Sequence, residues 1–456
     1  MRMIVLGGGP GGYSCAFEAA RLGASVTLIE KDEIGGTCLN RGCVPTKSIL
    51  RTARLVQDAA HATSFGVSLG PAEPDVAAIC ERKDAIVAEL RGQLEDTARR
   101  LKVTIVRGEG RLVEPHAVEV GGERHEADAV VLATGSVVFK LPTIDHSLPG
   151  VWTSDDGVAF REVPGELLLV GGGVIGLEFA CAYATFGSKV TVVELTPTVL
   201  PGNDKRVTRE AQKALEALGV TFRLGDAVES VERVGERMRS TLRSGEVVES
   251  DVVFSAVGRV PNSAGFGFEE AGIEFDRRAV RTDEFFRTNV PGVYAIGDLI
   301  GGMMLAHVAE DEGVAAAGNA IAEAKGEAPT KTLDYSSVPA CVYTFPEVAV
   351  VGGSRDSAKE RGLDVVQAVS KFAANGKALA EGEGEGFVQV VAEKGSGRIV
   401  GCQIVGPHAV EIVHEIAVAM RNGLRVWDVA HTTHAHPTVS EVVRIACELA
   451  AEQTRG

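Results

Sequence analysis

Aromatic side chains make up only 5 % of this 456-residue sequence, and basic residues are outnumbered, with 46 Lys and Arg against 62 Asp and Glu. The resulting formal charge of −16 repels phosphate backbones and anionic bilayers, so binding to nucleic acid or to a membrane is not expected. Long apolar runs are missing as well. The most apolar stretch, 167–184, is interrupted by Gly171, Gly172, Gly173, Gly176 and Glu178, which suits strand, turn and helix better than a membrane span. No targeting segment is expected ahead of the fold, because Met3-Ile4-Val5-Leu6 already reads as a buried strand running into glycines. Cysteine is sparse. Of the eight, Cys15, Cys80, Cys181, Cys341, Cys402 and Cys447 are scattered singly, the habit of buried thiols in a reducing, cytoplasmic compartment rather than of a secretory disulfide framework. Only Cys38 and Cys43 are grouped, and no metal site is expected.

What the chain does have is length, 45 % hydrophobic residues and 54 glycines, enough for three or four packed units joined by tight turns. Residues 3–30 read as strand, glycine turn, alanine-rich helix and strand, closing on Val26-Thr27-Leu28-Ile29-Glu30. The same grammar returns at 167–194, with the turn Gly171-Gly172-Gly173-Val174-Ile175-Gly176 and the closing strand Val190-Thr191-Val192-Val193-Glu194. From first glycine to closing glutamate the two units are equally long. Between them 79–101 carries an amphipathic, charge-rich helical pattern, and 129–136 reads as a strand ending in a small-residue turn. Strands are expected at 251–257 and 293–298, the latter ending on Gly297-Asp298. Beyond about Lys331 the pattern changes to alternating segments at 387–391 and 399–405 followed by a helix over 410–422, the signature of a separate α+β unit. The expected fold class is α/β: two Rossmann-like dinucleotide-binding domains and a C-terminal α+β domain, divided at 1–141, 142–261, 262–330 and 331–456.

A glycine-rich turn alone is a weak signal. Here each copy follows a strand, opens a helix and is closed by an acidic residue on the next strand, as dinucleotide binding requires. Gly7, Gly9 and Gly12, like Gly171, Gly173 and Gly176, would allow the sharp turn, the close approach of a pyrophosphate and tight helix packing, with free N–H donors at the helix start. Glu30 and Glu194 would accept hydrogen bonds from ribose hydroxyls, and a carboxylate at the second site repels the extra phosphate of NADP, favouring NAD. Two dinucleotides in one chain is the pattern of a flavoprotein reductase.

Cys38-Leu39-Asn40-Arg41-Gly42-Cys43 follows the first unit directly. The spacing is wrong for the commonest zinc knuckles, and no further ligands stand nearby. Two thiols this close can form a reducible disulfide, one of them held as thiolate by a cation or a helix N-terminus.

With these blocks the chain resembles the class I pyridine nucleotide–disulfide oxidoreductases over essentially its whole length. GGTCLNRGCVPTK at 35–47 is similar to that family's redox signature. In order there follow ATGS at 133–136, GGGVIGLE at 171–178, VGRVPN at 257–262, YAIGD at 294–298 and MLAHVAEDEG at 304–313. The resemblance implies FAD around Gly7, Gly9, Gly12, Glu30, Lys31, Gly36, Thr37, Cys38, Lys47, Gly110, Thr134, Gly135, Ser136, Asp298, Met304, Leu305, Ala306 and His307. It implies NAD along Gly171, Gly173, Val174, Ile175, Gly176, Glu178, Glu194, Val228 and Gly258, and a Lys47–Glu178 ion pair beside the flavin. The block His434-Ala435-His436-Pro437-Thr438-Val439-Ser440-Glu441 is similar to the version carried by the dihydrolipoamide dehydrogenases of that family. That implies His436 as acid–base catalyst, Glu441 as the group that orients it, and Cys38 and Cys43 as the redox pair. Arg41 departs from the apolar residue many of those enzymes have there. The resemblance further implies a homodimer whose C-terminal domain forms the interface, acting on protein-bound dihydrolipoamide, with lipoyl-bearing proteins of 2-oxoacid dehydrogenase or glycine cleavage complexes as partners. Competing readings are a relative acting on another disulfide and a non-catalytic flavoprotein subunit; intact Cys38, Cys43, His436 and Glu441 argue against the last.

Overall fold

Met3, Ile4, Val5 and Leu6 are each at most 3 % exposed, as a strand covered on both faces must be. In the computed structural model, which describes residues 1–455, the strand Arg2–Leu6 is the middle of a five-stranded parallel sheet. Ser25–Glu30 and then Thr104–Arg107 lie to one side, Ala129–Leu132 and then Val293–Ala295 to the other. Connections between parallel strands need helices, and Pro10–Arg21 supplies the first, with proline at its opening turn where a missing N–H costs nothing.

The second sheet repeats the design. Glu166–Val170 sits between Lys189–Glu194 and Val252–Ser255, with Thr221–Leu224 and Val151–Trp152 outside, all parallel. Its helix, Val174–Thr185, is buried on most sides. The two glycine turns match in backbone as well as in sequence: Gly7 and Gly171 have φ of 109° and 112°, while the capping glycines, Gly9 and Gly173, are extended with φ of −72° and −79°.

The third sheet is antiparallel, in the order Pro339–Val342, Glu347–Gly352, Ile399–Gly406, Phe387–Glu393, Val365–Lys371. Helices Ala409–Arg421 and Glu441–Arg455 close over it around a core that includes Val390, Ile404, Val413 and Val442. The parts are laced together. Ser136–Val138 pairs with Arg259–Pro261, and Val293–Ala295 returns to complete the first sheet, so the segment between 262 and 330 is built into it.

Several expected elements differ in extent; the strand expected at 251–257 is Val252–Ser255, and that at 387–391 runs Phe387–Glu393. The helix patterned at 79–101 runs Val76–Arg100, started by Asp75, whose carboxylate accepts the Ala78 N–H at 3.1 Å. The apolar run at 129–136 is a strand only to Leu132; Gly135 (φ 69°) turns it into the second short strand from Ser136. The run 293–298 is a strand to Ala295, followed by a 3₁₀ turn over Gly297–Ile300. Among the described residues no helix is long and apolar enough to cross a membrane.

Candidate active site

Gly35 and Gly36, at φ 103° and 57°, turn the chain so that the short helix Gly36–Arg41 lies against the first glycine loop. A Cβ on Gly36 would stand 2.6 Å from the Cα of Gly9. Asn40 pins this helix, its Nδ2 donating to the carbonyls of Glu33, Ile34 and Gly36 at 3.3, 3.1 and 3.0 Å. Gly42 breaks the helix, and Cys43 opens the next one, Cys43–His61. A sulfur in the first turn of a 19-residue helix feels its positive end. Both thiols are free and unlike. Hydrogen bonding from Cys38, helped by the Lys47 ammonium, lowers Cys43 to about 7. The same contact and burial push Cys38 well above the ordinary thiol range. Cys43, at the helix start and one turn before Lys47, is thus the thiol of the pair whose surroundings favour the thiolate.

One helical turn after Cys43, Lys47 Nζ reaches both oxygens of Glu178 at 2.9 and 2.8 Å. Glu178 projects from the helix Val174–Thr185 and is only 3 % exposed, a carboxylate in need of these partners. Its Oε1 also accepts the N–H of Tyr343, from the strand end of the third sheet, at 3.0 Å. Tyr13, half-buried on the first helix, donates to Glu310 at 2.5 Å; burial, Glu310 and both cysteines raise its phenol.

The glycines test whether dinucleotides fit. A Cβ on Gly7 would strike the Ala133 carbonyl at 2.2 Å, and one on Gly12 the Gly7 carbonyl at 1.8 Å, so these glycines are required by the fold itself. In the second unit Gly171 and Gly176 are crowded likewise, at 2.5 and 2.0 Å. The middle glycines differ. A Cβ on Gly9 would meet nothing closer than 3.9 Å, and on Gly173 nothing within 4 Å. Those two are where the missing side chain leaves room for a pyrophosphate over the helix N-terminus. Gly135 and Gly258 face open space in the same way. Glu30 accepts the N–H groups of Gly8 and Asp32 at 2.7 and 2.8 Å, and Glu194 those of Gly172 and Thr196 at the same distances. Each carboxylate is thus fixed at the end of its loop with lone pairs left for ribose hydroxyls. These residues fit the two nucleotides.

The other expected flavin residues gather at one end of the first sheet. Thr37 and Cys38 lie on the redox helix. Thr134 Oγ1 donates to the Asn262 carbonyl at 2.7 Å, and Ser136 Oγ donates to Asp298 at 2.5 Å. Met304, in a positive-φ conformation, and Leu305 lead into the helix Ala306–Ala324, and the His307 ring contacts the Pro339 carbonyl at 3.0 Å. Lys31 is exposed and pairs with Glu109 at 3.7 Å. Gly110 is packed by Leu6, Ile29 and Val118, which leaves no room there for a Cβ. Val174 and Ile175 open the second glycine-loop helix. Val228 is buried in the core and its carbonyl accepts Thr143 Oγ1.

Arg259 and Asn262 lie in the VGRVPN block and add contacts that its glycine alone does not announce. Arg259 donates to the Ser136 hydroxyl and carbonyl at 2.8 and 2.7 Å and approaches Thr37 Oγ1 at 3.5 Å, stapling the two nucleotide halves; burial lowers its guanidinium. Tyr13 and Tyr343 carried no sequence signal, since nothing local relates them to the cysteines. Arg41 is half exposed and turned onto Asp32 at 3.0 Å.

His436 is not brought to the cysteines within the chain. Its Nδ1 meets both Glu441 oxygens at 3.1 and 3.2 Å, and the imidazole is 78 % exposed. The Thr438 N–H, then His436, lower Glu441, which stands as a carboxylate behind the ring. Two residues earlier His434 is buried between the Thr432 carbonyl and Glu415.

A redox-pair helix between two nucleotide folds, with an exposed imidazole on a separate module, defines a disulfide oxidoreductase architecture. The chain belongs to the pyridine nucleotide-disulphide oxidoreductases: that family's model matches residues 1–313, and its dimerisation domain matches 338–447. Among its relatives are the dihydrolipoyl dehydrogenases of Chlamydia muridarum, 40 % identical over 96 % of this chain and 94 % of that protein, and of Bacillus subtilis, 38 % identical over 98 % and 96 %. A leghemoglobin reductase of Vigna unguiculata is also 38 % identical, over 97 % and 86 %. Among solved structures, LpdA of Mycobacterium tuberculosis superposes with a TM-score of 0.91 at 29 % identity, over 98 % of this chain and 99 % of that one. The HOCl-induced flavoprotein disulfide reductase RclA of Escherichia coli superposes at 0.88 and 26 %, over 98 % and 100 %. The family uses FAD and a pyridine nucleotide.

Proposed function

We propose that this chain oxidises dihydrolipoamide to lipoamide and delivers the two electrons to NAD through a Cys38–Cys43 disulfide. The observation that carries the reading is the His436–Glu441 diad: a carboxylate on Nδ1 leaves Nε2 free to take a thiol proton. The relatives named dihydrolipoyl dehydrogenase support the same substrate.

His436 would accept a proton from the dithiol, and the substrate thiolate would attack the Cys38 sulfur, breaking the Cys38–Cys43 bond and leaving Cys43 as the thiolate. The second substrate sulfur would then displace Cys38, its proton passing to the departing Cys38 sulfur, and leave as the cyclic disulfide, so that the two electrons rest on the enzyme pair as a Cys38 thiol and a Cys43 thiolate while His436 keeps the first proton. FAD, when bound, supplies the relay from that dithiol to the nicotinamide as a hydride. In net terms dihydrolipoamide and NAD give lipoamide, NADH and a proton. Lys47, held by Glu178, favours negative charge at Cys43 and beside the flavin. Gly7, Gly9, Gly12, Glu30, Lys31, Gly36, Thr37, Cys38, Lys47, Gly110, 134–136, Asp298 and 304–307 are assigned to FAD. Gly171, Gly173, Val174, Ile175, Gly176, Glu178, Glu194, Val228 and Gly258 are assigned to NAD. The division at 1–141, 142–261, 262–330 and 331–456 then follows the tasks: flavin, NAD, completion of the flavin site, and dimer interface.

Lipoyl-bearing proteins of 2-oxoacid dehydrogenase or glycine cleavage complexes would present the substrate, in the cytoplasm, to a homodimer. The test is kcat/KM for dihydrolipoamide with NAD and with NADP, against a panel of low-molecular-weight and protein disulfides. Dihydrolipoamide with NAD should lead. A higher value with NADP would overturn the assignment of Glu194, and a better disulfide would overturn the substrate.

A further inference from the structure

Tyr343 stands where the dimerisation module touches the redox site of its own chain, just past the strand Pro339–Val342. Its ring lies under the Lys47 ammonium, with Nζ 4.3 Å from the centroid, well inside the range of a cation–π contact. Its backbone N–H is bonded to Glu178, the carboxylate that Lys47 also holds. Burial pushes the phenol up to about 12, so the ring stays neutral at working pH. Three modules thus meet on one charge: Lys47 from the redox helix, Glu178 from the second glycine unit and Tyr343 from the third sheet.

We propose that Tyr343 is a positioning residue whose ring face holds the Lys47 ammonium in place between Glu178 and Cys43. A lysine carries its charge on a flexible stem, and one carboxylate fixes its distance but not its direction. The negative ring face supplies the second constraint, and the backbone N–H keeps the carboxylate from following the lysine away. Cys43 is faced by Cys38 from the preceding helix, by Lys47 on its own helix, by Glu178, and at longer range by Tyr13 and Arg259. Of the two cations Arg259 is pinned by the Ser136 hydroxyl and carbonyl, which leaves the placement of Lys47 as the variable that Tyr343 controls. This rests on the reading of Cys43 as the thiolate beside the flavin.

The test uses the holoenzyme reduced with stoichiometric dithiothreitol, following the long-wavelength thiolate–flavin absorbance against pH. Wild type, Tyr343→Phe, Tyr343→Leu and Tyr343 replaced by para-cyanophenylalanine are compared. The last keeps the ring's shape while draining electron density from its face. Tyr343→Phe should keep the wild-type midpoint, whereas the leucine and para-cyano variants should raise it by roughly half to one pH unit. Should leucine fail to fold, the para-cyano variant decides alone. An unshifted para-cyano midpoint would overturn the proposal, as would a Tyr343→Phe shift, which would place the effect in the hydroxyl. Absence of the band in wild type would instead remove the Cys43 reading itself, and the proposal with it.

Discussion

Cys38 and Cys43 are chemically identical and electrostatically opposed. Cys43 opens a helix and has Lys47 one turn on, which favour its thiolate; Cys38 is raised by its contact with Cys43 and by burial. In Cys38→Ser the Cys43 sulfur keeps Lys47 one turn on and its place at the helix start, so the holoenzyme with oxidised flavin should show a long-wavelength band at neutral pH that fades as the thiolate is protonated on acidification. Cys43→Ser should show none at any pH. The reverse pattern in a pH-resolved absorbance titration would exchange the two roles. Both variants should lose lipoamide turnover. At this scale the cysteine pair, Lys47 and Glu178 were legible because they lie inside contiguous motif blocks. Tyr343 was not, because its relation to Lys47 arises only when the third sheet is laid against the redox helix.

At the scale of elements, the glycine units separate into two physical roles that one motif conceals. Gly173 is extended and faces open space, so an added methyl is tolerated by the backbone but intrudes where NAD is assigned. Gly173→Ala should keep its FAD and its melting temperature while KM for NAD rises several-fold. Gly176 would carry its methyl 2.0 Å from the Gly171 carbonyl, so Gly176→Ala should lose about 1–3 kcal/mol of stability as the helix is forced off the sheet. Thermal melts with steady-state NAD kinetics check both, and equal melting losses would refute the distinction. The strand–turn–helix grammar was readable because an uninterrupted apolar run, a positive-φ glycine and a helix must follow one another there. The ends were less so. Asp75 starts its helix three residues early because capping needs only one side chain, outside any periodicity. The break after Leu132 depends on Arg259–Pro261 arriving from far along the chain to pair with Ser136–Val138.

For the whole molecule, the separation of His436 from the cysteines is the decisive fact. The diad projects from the third module with its imidazole exposed, and the hydrogen bonds of the imidazole among the described residues run to Glu441 alone. A chain carrying the family's dimerisation domain can place that imidazole over a partner's disulfide. The motif block was legible in the sequence; which chain it serves was not, since sequence distance says nothing about symmetry. His436→Gln should retain FAD and flavin reduction by NADH while losing about 10²–10⁴-fold in lipoamide turnover, because only proton transfer to the dithiol is removed. Cys38→Ser is inactive for a different reason, so the two lesions can complement. If the site is built in trans, a heterodimer of these variants holds one site with both lesions and one with neither. Random exchange of equal amounts should then return about a quarter of wild-type activity, or about half per heterodimer, provided the sites act independently. If His436 serves its own chain, every site keeps one lesion. Turnover is measured after subunit exchange, with heterodimers verified by mass spectrometry: recovery places the diad over the partner's disulfide, and no recovery would mean that His436 serves its own chain or that the two sites are coupled.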